Sequence, residues 1–184
     1  MKKIFFVLFV FFIGAVSSCS MAKLDHYPGV KQDSIPADFR GNYFFKLGKN
    51  SKDPKDSIYI IISKSGWKQY ENKRKDEYKL SGDIVFSTVG KYFVLSKKDE
   101  SAKKYWNSWV IFPKKNKFEI YPIVTINHPN NDKLSNYLTR KFNSMNGTDS
   151  VFYYEMNDAA FVKYFEKEIK GNKTFEIIHI KNKK

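Results

Sequence analysis

Ser57-Ile58-Tyr59-Ile60-Ile61-Ile62-Ser63 places four isoleucines and a tyrosine in seven residues. Side chains branched at Cβ are stiff in a helix and fit the pleated surface of a sheet. The run is also shorter than the roughly 10–12 residues of a typical buried helix, so it reads as a strand. Similar runs flank it. Upstream lies Asn42–Leu47, with Tyr43, Phe44 and Phe45. Downstream, Gly66–Tyr70 leads through a charged tip, Asn72-Lys73-Arg74-Lys75-Asp76, to Tyr78–Leu80. Ser81-Gly82-Asp83 turns into Ile84–Thr88, and Gly90 turns into Tyr92–Ser96. Tyr105–Phe112 and Lys117–Ile123 follow. Short apolar runs separated by turn residues every 8–14 positions or about that are the pattern of antiparallel strands joined by hairpins. Pro113 and Pro122 belong at strand ends or on an edge, because proline cannot donate to a ladder.

The period changes near the carboxyl end. Asn131-Asp132 can cap a helix whose stripe is Leu134, Tyr137, Leu138 and Phe142. Asn146-Gly147 turns, and Ser150–Met156 reads as a strand. Asn157 or Asp158 caps a second helix with Phe161, Tyr164, Phe165 and Ile169 on one face, stopped by Gly171. Thr174–Ile180 alternates as a last strand. The expected fold is therefore β-rich α+β: an antiparallel meander or partly closed barrel with two C-terminal helices.

The amino terminus reads as an address. Lys2 and Lys3 precede an unbroken apolar run from Ile4 to Ile13, followed by Gly14-Ala15-Val16-Ser17-Ser18-Cys19. The run falls short of the roughly 18–20 residues that a spanning helix needs, so it is a removable signal. Val16-Ser17-Ser18-Cys19 resembles the lipobox of bacterial lipoproteins. The resemblance implies cleavage before Cys19, a diacylglyceryl thioether on its sulfur and an acylated amino group. It implies a protein attached to the membrane through lipid without spanning it. Ser20 stands where many enteric inner-membrane lipoproteins carry Asp, which favours the outer membrane. The organisation expected is a signal peptide at 1–18, a lipidated Cys19 with a flexible tether at 19–40, and one β-rich domain at 41–184. Pro28-Gly29, Pro36 and the absence of an apolar period suggest the tether.

Composition narrows the function classes. The chain has 184 residues, 42% of them hydrophobic and 17% aromatic, enough for one packed domain. Its single cysteine, Cys19, excludes an internal disulfide and, once lipidated, a thiol nucleophile. His26, His128 and His179 are too scattered to suggest a metal site, and no metal or cofactor is expected. No nucleophile elbow, zinc-protease helix or phosphate-binding glycine loop occurs, and His128 sits alone in Asn127-His128-Pro129-Asn130. Asp99-Glu100 and Glu166/Glu168 have no evident partner that would divide their acid strengths. Catalysis is therefore not expected, and no catalytic residue is assigned.

The net charge of +14 comes from 33 basic and 19 acidic residues. It is spread over many turns and clusters only at Lys73-Arg74-Lys75, Lys103-Lys104 and Lys114-Lys115. An exported lipoprotein meets little nucleic acid, so none is expected as a partner. An anionic lipid or glycan surface is the functional counterpart of that charge. On the strand 105–112, Trp106 and Trp109 must point to opposite faces. One fills the core, and the other lies on an exposed face, under a helix or in a pocket, while Trp67 sits just after a turn.

Three tripeptides, Asp33-Ser34-Ile35, Asp56-Ser57-Ile58 and Asp149-Ser150-Val151, resemble the Asp-Ser/Thr-aliphatic O-glycosylation signal of exported Bacteroidota proteins. Ile35-Pro36-Ala37-Asp38-Phe39-Arg40-Gly41-Asn42-Tyr43 is similar to the entry of lipocalin-like small barrels, where Gly-x-aromatic opens the first strand. Gly90-Lys91-Tyr92-Phe93 and Tyr105-Trp106 are similar to stretches of Bacteroidota lipoproteins. Together these imply a lipid-anchored envelope protein acting as a non-catalytic binding or interaction module, with an envelope protein or glycan as partner. The alternative is a lipocalin-like carrier of a small apolar ligand. A filled interior favours the first and an enclosed apolar cavity the second.

Overall fold

The computed structural model describes residues 22–46, 57–71, 74–100, 104–114, 117–123, 133–145, 149–169 and 175–179. Two very short strands come first, β1 (Lys23–Leu24) and β2 (Val30–Lys31), then a 3-10 turn at Ala37–Phe39. The meander follows as β3 (Gly41–Lys46), β4 (Ser57–Ser63), β5 (Gly66–Glu71) and β6 (Arg74–Lys79). It continues as β7 (Ile84–Val89), β8 (Tyr92–Lys98), β9 (Trp106–Lys114) and β10 (Lys117–Pro122). A 3-10 turn at Lys133–Asn136 precedes the hairpin of β11 (Thr139–Met145) and β12 (Asp149–Glu155). Helix α1 (Asp158–Tyr164) runs on into a π-helical turn, Phe165–Ile169, and β13 (Phe175–His179) closes the series.

All thirteen strands belong to one curled sheet, a half-barrel. One path runs β11-β12-β1-β9-β10-β13-β3-β4-β5-β6, while β8, β7 and β2 extend from the other edge of β9. The β-rich α+β class and the partly closed barrel are thus as expected. Every hairpin of the meander pairs antiparallel, as β4 does with β5 from Ile58↔Glu71 to Ser63↔Gly66. Pro113 and Pro122 fall at the ends of β9 and β10.

Alternation along the strands sends side chains to two cores, because both faces of the middle of the sheet are covered. Inside the curl, Tyr43, Ile58, Ile60, Phe86 and Phe118 pack around Ile35 and Phe39. Phe39 is the centre of that core. Its ring lies 5.5 Å from Phe86, 4.6 Å from Phe93 and 4.9 Å from Phe118. On the outer face, Val85, Tyr92, Val94, Trp106, Val110 and Tyr121 pack against Leu24, Tyr154, Phe161 and Phe165. Trp106 and Trp109 do point to opposite faces, and both are buried.

The supposed tether is corrected by the structure. Ala22 and Leu24 are fully buried, and Ile35 and Phe39 nearly so. Leu24 pairs with Tyr154 in parallel and with Trp106 antiparallel, and Val30 pairs with Thr88. Gly29 has φ +78°, and a Cβ there would meet the Thr88 carbonyl oxygen at 2.1 Å, so only glycine lets the chain lie this close to β7. Elements of two or three residues carry no period, which is why the segment read as linker. The packed domain begins by residue 22, not at 41.

The first C-terminal helix shrinks to the single 3-10 turn at Lys133–Asn136, which buries Leu134. From Thr139 the chain is strand, so Phe142 leaves the helical stripe and faces Phe152 across the hairpin. Pairing along seven register positions overrides a weak helical period. The second helix begins as read, passes into the π-helical turn after Tyr164, and its expected stop at Gly171 lies outside the described residues. Asn157 caps it, its side-chain oxygen accepting the Ala160 N–H at 3.0 Å, with Phe161 and Tyr164 buried beneath. No helix among the described residues is long and apolar enough to cross a membrane.

Phe39 distinguishes the two descriptions of its segment. As a core plug, Phe39→Ala should lower unfolding stability by about 3–5 kcal/mol in urea denaturation. A tether residue would change it by less than about 0.5 kcal/mol.

Candidate functional site

β9 is nine residues long, but β10 covers only Trp109–Lys114 of one edge. The rest of that edge is taken by β1 at Trp106, and β12 then pairs parallel to β1. At this branch a cleft of about 370 Å³ opens to solvent, lined by Asp25, Lys104, Tyr105, Tyr153, Tyr154 and Glu155.

Each wall has a structural cause. The Tyr105 and Tyr153 rings stack with centroids 3.8 Å apart and planes at 21°. The Lys104 ammonium lies 5.0 Å from the Tyr105 centroid, within cation–π range. Asp25 is held on three sides: its N–H donates to the Tyr154 carbonyl at 3.1 Å, its carboxylate accepts the Met156 N–H at 2.9 Å, and His26 Nδ1 stands 2.8 Å away. Burial raises the Tyr153 phenol above its ordinary range, and the neighbouring Tyr105 adds to this while Lys104 opposes it. Behind the cleft, Lys23 pairs with the buried Asp99, whose N–H donates to the Tyr105 carbonyl at 2.9 Å. Burial draws the Lys23 ammonium below the usual lysine range. Asn107 Nδ2 donates to Asp99 at 3.3 Å, while its own Oδ1 is buried without a partner among the described residues.

The cleft therefore offers the half-buried Tyr105, the exposed carboxylates of Asp25 and Glu155 and the exposed ammonium of Lys104. That set suits a polar, hydroxyl- or amine-bearing ligand better than an apolar one. Of its residues, only Lys104 and Tyr105 fall in runs that sequence singles out for a functional role, while Tyr153, Tyr154 and Glu155 are read only as part of a strand. Asp25, Tyr153, Tyr154 and Glu155 join them only through the parallel pairing of β1 with β12, across more than a hundred residues.

The other singled-out groups lie elsewhere. Cys19, the whole signal, His128, Lys73, Lys103 and Lys115 lie outside the described residues. Asp99 and Glu100 are each paired to a lysine, Lys23 and Lys97. Glu166 accepts from the Tyr92 hydroxyl at 3.0 Å and pairs with Lys91 at 2.8 Å. Glu168 accepts from the Tyr137 hydroxyl at 3.1 Å and pairs with Lys133 at 2.9 Å. The Lys133 hydrogen bond, with help from Tyr137, holds the Glu168 carboxyl below the ordinary glutamate range. Glu166 thus ties the helical segment to β8, and Glu168 ties it to the 3-10 turn that precedes β11. Arg74 pairs with Asp76, and Trp67 stacks on Tyr78 at 5.0 Å. Among the described residues, no group of three or more His, Cys, Asp and Glu side chains is placed to hold a metal ion. Of the three tripeptides, Asp33-Ser34-Ile35 is described with its side chains, and there Ile35 is buried and Ser34 half-buried.

No family model matches the sequence, and the comparisons with curated proteins and with solved structures find no match.

The Lys23–Asp99 pair lies behind the cleft, joined to it by the Asp99 N–H bond to Tyr105, and its energetics are asymmetric. Asp99→Ala leaves a half-buried ammonium unpaired and should cost about 3 kcal/mol, whereas Lys23→Met with Asp99→Leu should recover most of that loss. Chemical denaturation of both variants checks the pair of values.

Proposed function

We propose that this protein is a lipid-anchored cell-envelope protein, attached to the outer membrane through Cys19, that acts as a non-catalytic binding module. The observation that carries the binding reading is the branch-point cleft at Asp25, Lys104, Tyr105, Tyr153 and Glu155. The barrel interior supports the same choice over a carrier of apolar ligands. Phe39 occupies the space between Phe86, Phe93 and Phe118, where a calyx would keep its ligand. The lipobox-like Val16-Ser17-Ser18-Cys19 supports the anchor, and the polar lining of the cleft suits a saccharide or peptide of the envelope.

Two measurements test the parts separately. Intact protein should enter the detergent phase on partitioning and stay with membranes in high salt, and Cys19→Ser should leave an uncut precursor or a protein not retained through acyl chains. An unmodified Cys19 in the mass spectrum of the mature protein, or cleavage elsewhere, would sink the anchor. For the cleft, soluble peptidoglycan fragments added to isotopically labelled protein should shift the amide resonances of residues 25, 104–105 and 153–155 and spare those of β4 and β5. Tyr105→Ala should weaken that response at least tenfold, a loss of about 1.4 kcal/mol. Shifts scattered over the whole sheet, or none, reject a glycan as the ligand of this cleft.

A further inference from the structure

We infer that the lipidated protein lies directly against the bilayer, with the flank of the sheet formed by β1, β12 and β11 facing the lipid head groups. The inference rests on the anchor at Cys19 proposed above. From Ala22 onward the chain is fixed. Ala22 is fully buried and its N–H donates to the Ile123 carbonyl at 3.0 Å. Leu24 is fully buried, Lys23 is paired with Asp99, and the Asp25 carboxylate accepts the Met156 N–H. Cys19 is three residues from Ala22, so their Cα atoms can be at most about 11 Å apart, whatever path the chain takes. The thioether keeps Cys19 in the head-group layer, which is itself only about 5–7 Å deep on each leaflet. A core residue held within that span leaves no room for a spacer. Had residues 19–40 been free coil, the domain would have stood off by about 25 Å.

The elements beside β1 decide which surface is presented. β12 lies next to it and β11, the end strand of the path, lies beyond. Arg140 shares a row with Tyr154 and Leu24, two strand spacings or about 10 Å from the fixed point, and is exposed. Lys141 occupies the next row, with Tyr153 and Lys23. Among the described side chains of this flank Arg140 is basic while Asp25 and Glu155 are acidic, so the short link from Cys19, and not charge, brings it to the head groups. β6 ends the path six strand positions from β9, so the exposed Lys75 is the comparison site farthest from β1 along that path.

Fluorescence quenching tests the orientation. The only native cysteine is blocked by lipid, so Arg140→Cys and Lys75→Cys each supply one free thiol for a dye. The lipidated proteins are placed in vesicles of phosphatidylethanolamine and phosphatidylglycerol containing a lipid with a nitroxide on its head group. The dye at 140 should be quenched several-fold more than the dye at 75. A Gly/Ser insert of about twenty residues after Ser20, spanning about 25 Å on average, should remove most of the difference. Equal quenching at native length overturns the orientation while leaving the anchor intact. So does rapid hydrogen exchange at Ala22 and Asp25 in the vesicle-bound protein, because it would mean that β1 detaches to make a spacer. A mature amino terminus without acyl chains ends the anchor and this inference together.

Discussion

β9 pairs with two different strands along one edge, and the architecture follows from that division. Its outer half, Trp109–Lys114, carries β10 and the route through β13 to the meander that curls round Phe39. Its inner end carries β1, and through it the β11–β12 hairpin. Main-chain groups at a sheet edge must be satisfied when buried, so the two-residue β1 is a structural necessity where β10 departs. The Ala22 N–H reaching the Ile123 carbonyl closes the junction, and the Ile123 N–H goes to Ser108. Because one short strand seals the branch, the segment before β3 is part of the core. Gly29 then lies flat on β7, with its N–H donating to Asp158 at the start of the helix. Ile35 and Phe39 fall across the mouth of the curl.

The branch also explains why the cleft lies where it does. Parallel pairing of β1 with β12 brings Asp25 beside Glu155, and the turn from β8 to β9 brings Lys104 and Tyr105 against Tyr153. Two strand paths diverging from one edge of β9 leave a wedge between them. Large aromatic rings fill its narrow end, and polar tips remain at its rim. The barrel interior has no such wedge, since a phenylalanine from the N-terminal segment stands at its centre.

What sequence could reveal was set by length and locality. Strands such as Ser57–Ser63 and Ile84–Val89 hold six or seven residues of β-forming side chains, and their neighbours are joined by turns of a few residues. Both composition and register are then local properties. Asn157 was readable for the same reason, because a cap acts over three residues. β1 and β2 were not, since two residues have neither period nor propensity. Leu134, Tyr137 and Leu138 did imitate a helical stripe that ran on to Phe142, and from Thr139 only the partner strand seven positions long decided against it. The cleft was the least legible of all. Lys104 and Tyr105 are adjacent in sequence, but their partners arrive from residue 25 and residues 153–155 by long-range pairing that leaves no local mark.

The basic surplus gains a different meaning once its members are placed. Lys68 and Lys79 stand beside Glu77, Lys91 beside Glu166, Lys97 beside Glu100, and Lys98 beside Asp83. Lys114 and Lys117 both lie 3.8 Å from Glu119 on neighbouring strands. Glu119 is buried, but the exposed pairs among these contribute little to stability, at most about 1 kcal/mol each, and salt screens them. Their more useful effect is on the sheet's ends. β6, Arg74-Lys75-Asp76-Glu77-Tyr78-Lys79, has its far edge unpaired by any described strand, and a strand so charged is a poor template for another chain. Charge distributed in this manner keeps edges apart without marking one face for a partner. On the anchor proposed at Cys19, the orientation of the molecule therefore has to come from covalent geometry, and a link with only two residues between Cys19 and the buried Ala22 constrains it far more tightly than a diffuse field can.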